Sequence, residues 1–341
     1  MVTGIGSVPF TEVDSAIDHV FAACRQAPFW PQLARRSFLE DMYVQFLEGV
    51  PSVVIDEQNE RVYVDTGSTD GIERFYEDVA SCNLEAFAVS EAAAPGLYRL
   101  LERLPELRDE VKIIKGHLTG PFTLGLGLKD EKGQPIIYNS AYFDIIKKAL
   151  HMKARWMISL MKERFPGKEV MIFFDEPFMV SFGSAFVSIS KADVVSLMNE
   201  VLTGLDATRG VHCCGNTDWS VLFSVDTDIV NYDAFNFLDT IFYFKDELAE
   251  FLRAGGIISP GIVPSSEAVL SCSLADLTGI WRKFGHQIAG IDAQLPWRDW
   301  PVTPSCGLGS LTEPEAERAL ELLKQVNTEI DLIIAHKAGK F

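Results

Sequence analysis

Short apolar runs rich in Val, Ile and Phe alternate along this chain with longer stretches whose apolar positions recur at helical spacing. Runs of that kind suit strands buried on both faces, and their alternation with amphipathic stretches predicts βα units on a parallel sheet. The predicted core strands are Thr3–Val8, Glu85–Ser90, Val111–His117, Glu169–Asp175, Gly210–Cys214, Ile229–Asp233, Gly256–Gly261 and Val302–Cys306. Among the predicted helices are Tyr142–Arg164, Lys191–Leu205, Lys245–Ala254 and Glu313–Gln325. Ser310 stands three residues before Glu313, and Pro314 takes a first-turn position, so the last helix has good start signals. Strands each followed by a helix predict an α/β protein, a closed (β/α)8 or TIM barrel that spans residues 1–341 as one domain. From Ser52 to Asp65 the chain alternates apolar and polar residues around Gln58-Asn59-Glu60, which predicts a β-hairpin inserted between the first and second strands. No low-complexity segment or linker divides the sequence.

Composition agrees with a packed fold. Of 341 residues 48% are hydrophobic and 23% charged, enough to bury a core. The formal net charge of −18 repels phosphate backbones and anionic headgroups, so the expectation is no nucleic acid and no membrane as direct partner. No apolar run reaches the roughly 18 residues a spanning helix needs. Met1–Phe10 lacks a basic region followed by an apolar stretch, so no signal peptide is expected. Six cysteines are too sparse for a disulfide framework, and in a cytoplasmic protein they are reduced thiols, free for a metal or for catalysis.

In such a barrel the chemistry lies where strands end and βα loops begin. Polar residues gather at those places. Ser7 closes the first predicted strand, Glu91 the second, His117 the third, and Asp175 with Glu176 the fourth. His212 and Cys214 close the fifth, Asp233 the sixth, and Cys306 the eighth.

The strongest local signal is Val211-His212-Cys213-Cys214-Gly215-Asn216-Thr217. Residues i and i+2 of a strand face the same way, so His212 and Cys214 can point together into the barrel mouth while Cys213 points outward. An imidazole beside a thiolate suits Zn2+, which takes tetrahedral nitrogen and sulfur ligands. Cys306 can add a second thiolate, and Asp233 a carboxylate, either as fourth ligand or from the outer shell. Two other readings stand beside this one. Cysteine is among the most buried residue types, so the cluster could be plain core, and Cys213–Cys214 could form a vicinal disulfide. Three protein ligands with an exchangeable fourth position is the catalytic pattern for zinc, and coordination deprotonates an incoming thiol.

With these residues in view, the sequence resembles the catalytic barrel of cobalamin-independent methionine synthase and the short methyltransferases that lack its N-terminal half. Thr3-Gly4-Ile5-Gly6-Ser7-Val8-Pro9 is similar to that family's opening strand, Gly120-Pro121-Phe122-Thr123 to its third-strand loop, and Asp175-Glu176-Pro177 to its Asp-Glu-Pro motif. Thr303-Pro304-Ser305-Cys306-Gly307-Leu308 is similar to the segment carrying its last zinc cysteine. His212-Cys213-Cys214-Gly215-Asn216-Thr217 also resembles methylcobamide:coenzyme M methyltransferases, which share the barrel with uroporphyrinogen decarboxylase.

The resemblance implies a methyltransferase of the methionine synthase type, with zinc on His212, Cys214 and Cys306. Asp233 falls near the family's glutamate ligand but has a shorter side chain. Homocysteine would lie with its carboxylate on Ile5, Gly6 and Ser7 and its amine on Asp175 and Glu91. His117 reads either as a contact to substrate or donor, or as a satisfied core histidine. Glu176 reads as orienting a ligand or as solvated, and Asn216 and Thr217 as shaping the loop and capping the next helix, which begins near Asp218. Trp219, Tyr232, Phe235 and Phe237 read as core, as a shield over the site, or as a surface for docking the donor.

Two departures concern the methyl donor. Gly261-Ile262-Val263-Pro264-Ser265-Ser266 lacks the family's histidine proton donor, and Leu124-Gly125-Leu126-Gly127 lacks its tryptophan platform for folate. The expected donor is therefore methylcobalamin or a methylated corrinoid protein, with zinc-bound homocysteine thiolate as acceptor and methionine as product. The alternatives are another thiol such as coenzyme M, a metal-free decarboxylase like the porphyrinogen enzyme, and a non-catalytic zinc or corrinoid carrier.

Overall fold

A computed structural model describes residues 1–185 and 187–337. Its centre is a curled six-stranded parallel sheet with strands in sequence order. After a separate antiparallel hairpin, β1 (Val53–Asp56) and β2 (Arg61–Val64), come β3 (Ile113–Thr119), β4 (Glu169–Asp175) and β5 (Thr208–Cys213). The sheet continues with β6 (Ile229–Asp233), β7 (Ile257–Val263) and a short β8 (Thr303–Pro304). β4 and β6 have their predicted bounds, and the other sheet strands begin or end within two residues of theirs at each end. The predicted helices are present too, as Ser140–Arg164, Lys191–Leu202, Lys245–Arg253 and Glu313–Lys337. Central strands such as Val170-Met171-Ile172-Phe173-Phe174 are apolar at every position because both faces are covered.

Register decides which side chains meet. Thr119 pairs with Asp175, Asp175 with His212, and His212 with Asn231, so these residues lie side by side near the carboxyl ends of four adjacent strands. One end of the concave side is filled by a small apolar cluster of Ala27, Ile113, Met171, Phe173 and Ile229. The polar residues lie towards the other end.

Two of the eight predicted strands are not regular strands. Thr3–Val8 is extended but makes only isolated parallel bridges, Val2 to Val302 beside β8 and Ser7 to Gln32. Glu85–Ser90 is not a strand at all: Leu84–Phe87 is a 3-10 turn, with Phe87 and Val89 buried in the core. Its alternation of apolar and polar residues came from one-sided packing and not from sheet pairing. The segment that does lie beside β3 is Gln26–Gln32. Lys115 N donates to Pro28 O at 3.0 Å, Trp30 N to Lys115 O at 2.9 Å, and Gln32 N to Gly6 O at 3.0 Å. The hairpin therefore follows this segment and does not precede it. Among the described residues no helix is long and apolar enough to cross a membrane.

Candidate metal and substrate site

The strand ends enclose a cavity of about 240 Å³ lined by Ile5, Ser7, His117, Asp175, His212, Cys214 and Cys306, with Gln32, Met42 and Thr119 also in its wall. A ring nitrogen of His212 and the sulfurs of Cys214 and Cys306 lie within 4.8 Å of one another. Cys213 points away from them, is fully buried, and donates from its thiol to Gly215 O at 3.4 Å. No disulfide joins it to Cys214.

His212 is held by a buried network. Its Nδ1 lies 2.5 Å from Asn231 Oδ1. Asn231 Nδ2 donates to Ser259 O at 2.8 Å and reaches Ser259 Oγ and Thr303 Oγ1, both at 2.9 Å. Those acceptors fix the amide with its oxygen towards the imidazole, so Nδ1 carries the proton and Nε2 presents a lone pair. Nε2 is buried and has no hydrogen-bond partner of its own. One imidazole nitrogen and two thiolate sulfurs, with an orphaned nitrogen facing the sulfurs, fit zinc. Asn231 is absent from the sequence-based site; its signal was its position two residues before Asp233 on the same strand face.

Charges here are strongly coupled. The Cys214 thiol is pushed down to about 4, chiefly because Cys306 donates a hydrogen bond to it, with His212 adding to the effect. Cys306 is driven up by the same hydrogen bond and by burial. Burial opposes a charge on His212, yet Cys214 and the Asp175 carboxylate hold it above its usual value. In the metal-free protein Cys214 is thus a thiolate that accepts from Cys306, and a metal would displace the Cys306 proton.

Asp233 is not in this group. Both carboxylate oxygens are engaged by Asn236, through its N at 2.9 Å and its Nδ2 at 2.7 Å, and so cap the helix Ala234–Phe237. Glu91 is also placed elsewhere. It is exposed, because the strand it was expected to close does not exist, and the end of Gln26–Gln32 brings Gln32 to the cavity instead. Gln32 Nε2 donates to Glu40 O and Gln45 Oε1, so the residue in that place is a neutral, anchored amide.

Asp175 does line the cavity. Its Oδ1 is shielded and has no partner, and burial raises the carboxyl to about 6 in spite of His212 and Lys115 nearby. Its neighbour Glu176 is not solvated, and it touches the ligand strand through its backbone, with N donating to His212 O at 2.7 Å. It is fully buried, and its carboxylate accepts from Phe122 N at 2.9 Å and Thr123 N at 2.7 Å. The Asp-Glu-Pro and Gly-Pro-Phe-Thr segments are thereby joined into one bracket across β3 and β4. Gly120 leaves room for it, since a Cβ there would stand 2.2 Å from Glu176 Oε1. Gly120→Ala should therefore destabilise the fold by about 1–3 kcal/mol, through overpacking and a displaced carboxylate, as read from urea unfolding.

The remaining expected residues divide as follows. Ser7 Oγ packs against the Cα of Gly307, where a Cβ would come within 2.2 Å. The helix Trp219–Leu222 is capped by Asp218, whose side chain accepts from Ser220 N, and not by Asn216 or Thr217. Trp219 and Tyr232 are fully buried and packed edge to face, which makes them core. A larger open groove, about 890 Å³ beside Lys191, Asn199 and Glu200, lies on the outer helices and holds none of these groups.

No family model and no curated protein sequence matches the chain. Solved structures do. A Listeria monocytogenes protein assigned as a vitamin-B12-independent methionine synthase superposes with a TM-score of 0.57 at 15% identity, covering 97% of this chain and 99% of that one. A methyltransferase from Methanosarcina mazei gives 0.50 at 14% identity, covering 95% of this chain and 93% of that one. At these identities the likeness speaks for the fold, which this chain shares from end to end with both.

Proposed function

We propose that this protein is a zinc-dependent thiol methyltransferase that moves a methyl group from a corrinoid to homocysteine, giving methionine. The reading takes the bridged segments 2–8 and 26–32 as the first two strands of a closed (β/α)8 barrel, one catalytic domain working in the cytoplasm. The observation that carries it is the convergence of His212 Nε2, Cys214 and Cys306 on one cavity that also holds Asp175.

His212, Cys214 and Cys306 would hold the zinc, and zinc there would supply a thiolate from the acceptor thiol at neutral pH. The other groups position the acceptor. Asp175 Oδ1, buried and unpartnered, takes the ammonium, and Ser7 with the backbone of Gly6 takes the carboxylate. Asn231 keeps the His212 Nε2 lone pair aimed at the two sulfurs. Bringing thiol and methyl group into line in a small cavity supplies much of the rate enhancement.

For the donor, methylcobalamin or a methylated corrinoid protein is favoured by what surrounds Gly125 and Gly127. Phe143 and Tyr43 fill the space above these glycines, where a Cβ would come within 2.6 Å and 2.2 Å. Both glycines lie in the helix Pro121–Gly127, whose one aromatic residue, Phe122, is buried in the core. Coenzyme M is the second acceptor to consider, since among the described residues lining the cavity Asp175 is the one carboxylate. The test is methyl transfer from methylcobalamin to homocysteine and to coenzyme M, with zinc measured on the same sample. Methionine formation in proportion to bound zinc is expected; transfer to coenzyme M alone would overturn the choice of acceptor, and turnover without metal would overturn the zinc.

A further inference from the structure

His117 has an arrangement that packing does not explain. It is 2% exposed, and neither ring nitrogen has a hydrogen-bond partner. A buried polar atom left unpaired costs about 1–3 kcal/mol, so two on one ring call for a partner outside the protein. The ring cannot turn to find one inside. Trp30 stacks on it at 4.5 Å between centroids, Phe46 meets it edge-on at 6.3 Å, and Gly6 lies so close that a Cβ there would sit 2.7 Å from Nδ1. What remains open to the imidazole is the cavity, whose wall it forms with Ser7 and Asp175.

The surroundings say which ligand group belongs there. Lys115 lies two residues earlier on the same face of β3, fully buried, with Nζ donating to Ile5 O at 2.6 Å and standing 4.4 Å above the Phe173 ring. Among the described residues no carboxylate hydrogen-bonds this ammonium, although the Asp175 carboxylate acts on it through space, and its field favours an anion beside it. Burial, with Lys115 adding to it, holds His117 well below its usual range. The imidazole is then neutral and offers one N–H donor, which an anion can accept. Gly6 and Ser7, beside the ring, belong to the same end.

We propose that His117 reads the carboxylate of the acceptor, completing with Ser7 an anion subsite paired with Asp175 as the cation subsite, so that the cavity selects α-amino-acid thiols. This rests on the thiol-acceptor reading above and adds a specificity-determining residue to it.

The experiment is calorimetric binding to zinc-loaded protein of three thiols: homocysteine, 4-mercaptobutanoate, which lacks the amine, and 3-aminopropane-1-thiol, which lacks the carboxylate. His117→Phe keeps the stack on Trp30 and removes the donor; zinc content and the thermal midpoint check that it folds. It should weaken homocysteine and 4-mercaptobutanoate by about 10- to 100-fold, the range for a hydrogen bond to a charged group, and leave 3-aminopropane-1-thiol within about twofold. His117→Gln, which retains an N–H, should recover part of that loss for the carboxylate thiols only. Equal weakening of all three thiols by both variants, or no weakening, overturns the subsite while wild-type homocysteine binding leaves the acceptor reading standing. If the wild type holds none of the three, the acceptor reading falls and the subsite with it.

Discussion

Cys306→Ala should abolish stoichiometric zinc binding and, with it, methyl transfer. Two ligands, His212 and Cys214, would remain of the three that converge within 4.8 Å. Two do not make a zinc site. The loss in affinity should exceed the 10- to 100-fold (about) that follows removal of an outer-shell partner. Equilibrium dialysis against zinc, with elemental analysis, reads it directly. The metal-free protein gives an independent check. The Cys214 thiol is held near 4 chiefly by the hydrogen bond from Cys306. Without that donor its ionisation should move up, and the pH profile of its alkylation by iodoacetamide should move with it. A variant that retains one zinc per chain would remove Cys306 from the ligand set.

The second large effect is expected at Asp175. Its Oδ1 is buried and bare, facing the cavity, so Asp175→Asn should cost about 10- to 100-fold in kcat/KM for homocysteine. Little change is expected for 4-mercaptobutanoate, which brings no ammonium. The metal-free variant should also differ in its stability against pH. The Asp175 carboxyl is raised from 3.8 to about 6, burial being the main cause. Between those values the folded chain keeps a proton that the unfolded chain has released. Wild-type stability should therefore fall as pH rises from about 4 to about 6, with the full cost present above that window. The Asn variant should lack this fall, and urea midpoints measured across the window would show it. Such a variant would be more stable and less active near neutrality, as expected where a charge is kept buried for binding. Parallel curves for the two proteins would mean that Asp175 is as well solvated folded as unfolded.

How far the sequence could be read depends on how local each signal was. β4 and β6 were legible because both are mainly apolar runs, broken in β6 by Asn231, that end in a carboxylate, Asp175 and Asp233. Cys306 could be joined to His212 and Cys214 through its place at a strand end. The segment Gln26–Gln32 was not legible. Pro28 and Pro31 break its strand pattern, and its pairing to Lys115 and Gly6 runs through few backbone bonds. Glu85–Ser90 misled for the opposite reason: its alternation was regular, but a 3-10 turn buries Phe87 and Val89 just as well. That error carried Glu91 into the site. Asp233 was placed on the correct strand and face, yet whether a carboxylate binds an ion or caps the next turn depends on the contact made by Asn236. Glu176 was undervalued because its partners, the amides of Phe122 and Thr123, lie more than fifty residues away in sequence.

The bridges at Val2 and Ser7 also bear on the order in which the molecule is built. Residues 2 and 302 are neighbours in space, and Leu308 N donates to Ser7 O at 2.8 Å. A chain that has formed the sheet from β3 through β7 still lacks both Ser7 and Cys306, whose segments meet at Leu308 and Gly307. Bringing those two segments together closes a loop that spans most of the chain, a slow kind of contact that repays its entropy only at the end. The pocket therefore exists only once folding is finished. A partly folded chain offers His212 and Cys214 alone, so tight metal capture would mark completed molecules and leave unfinished ones empty.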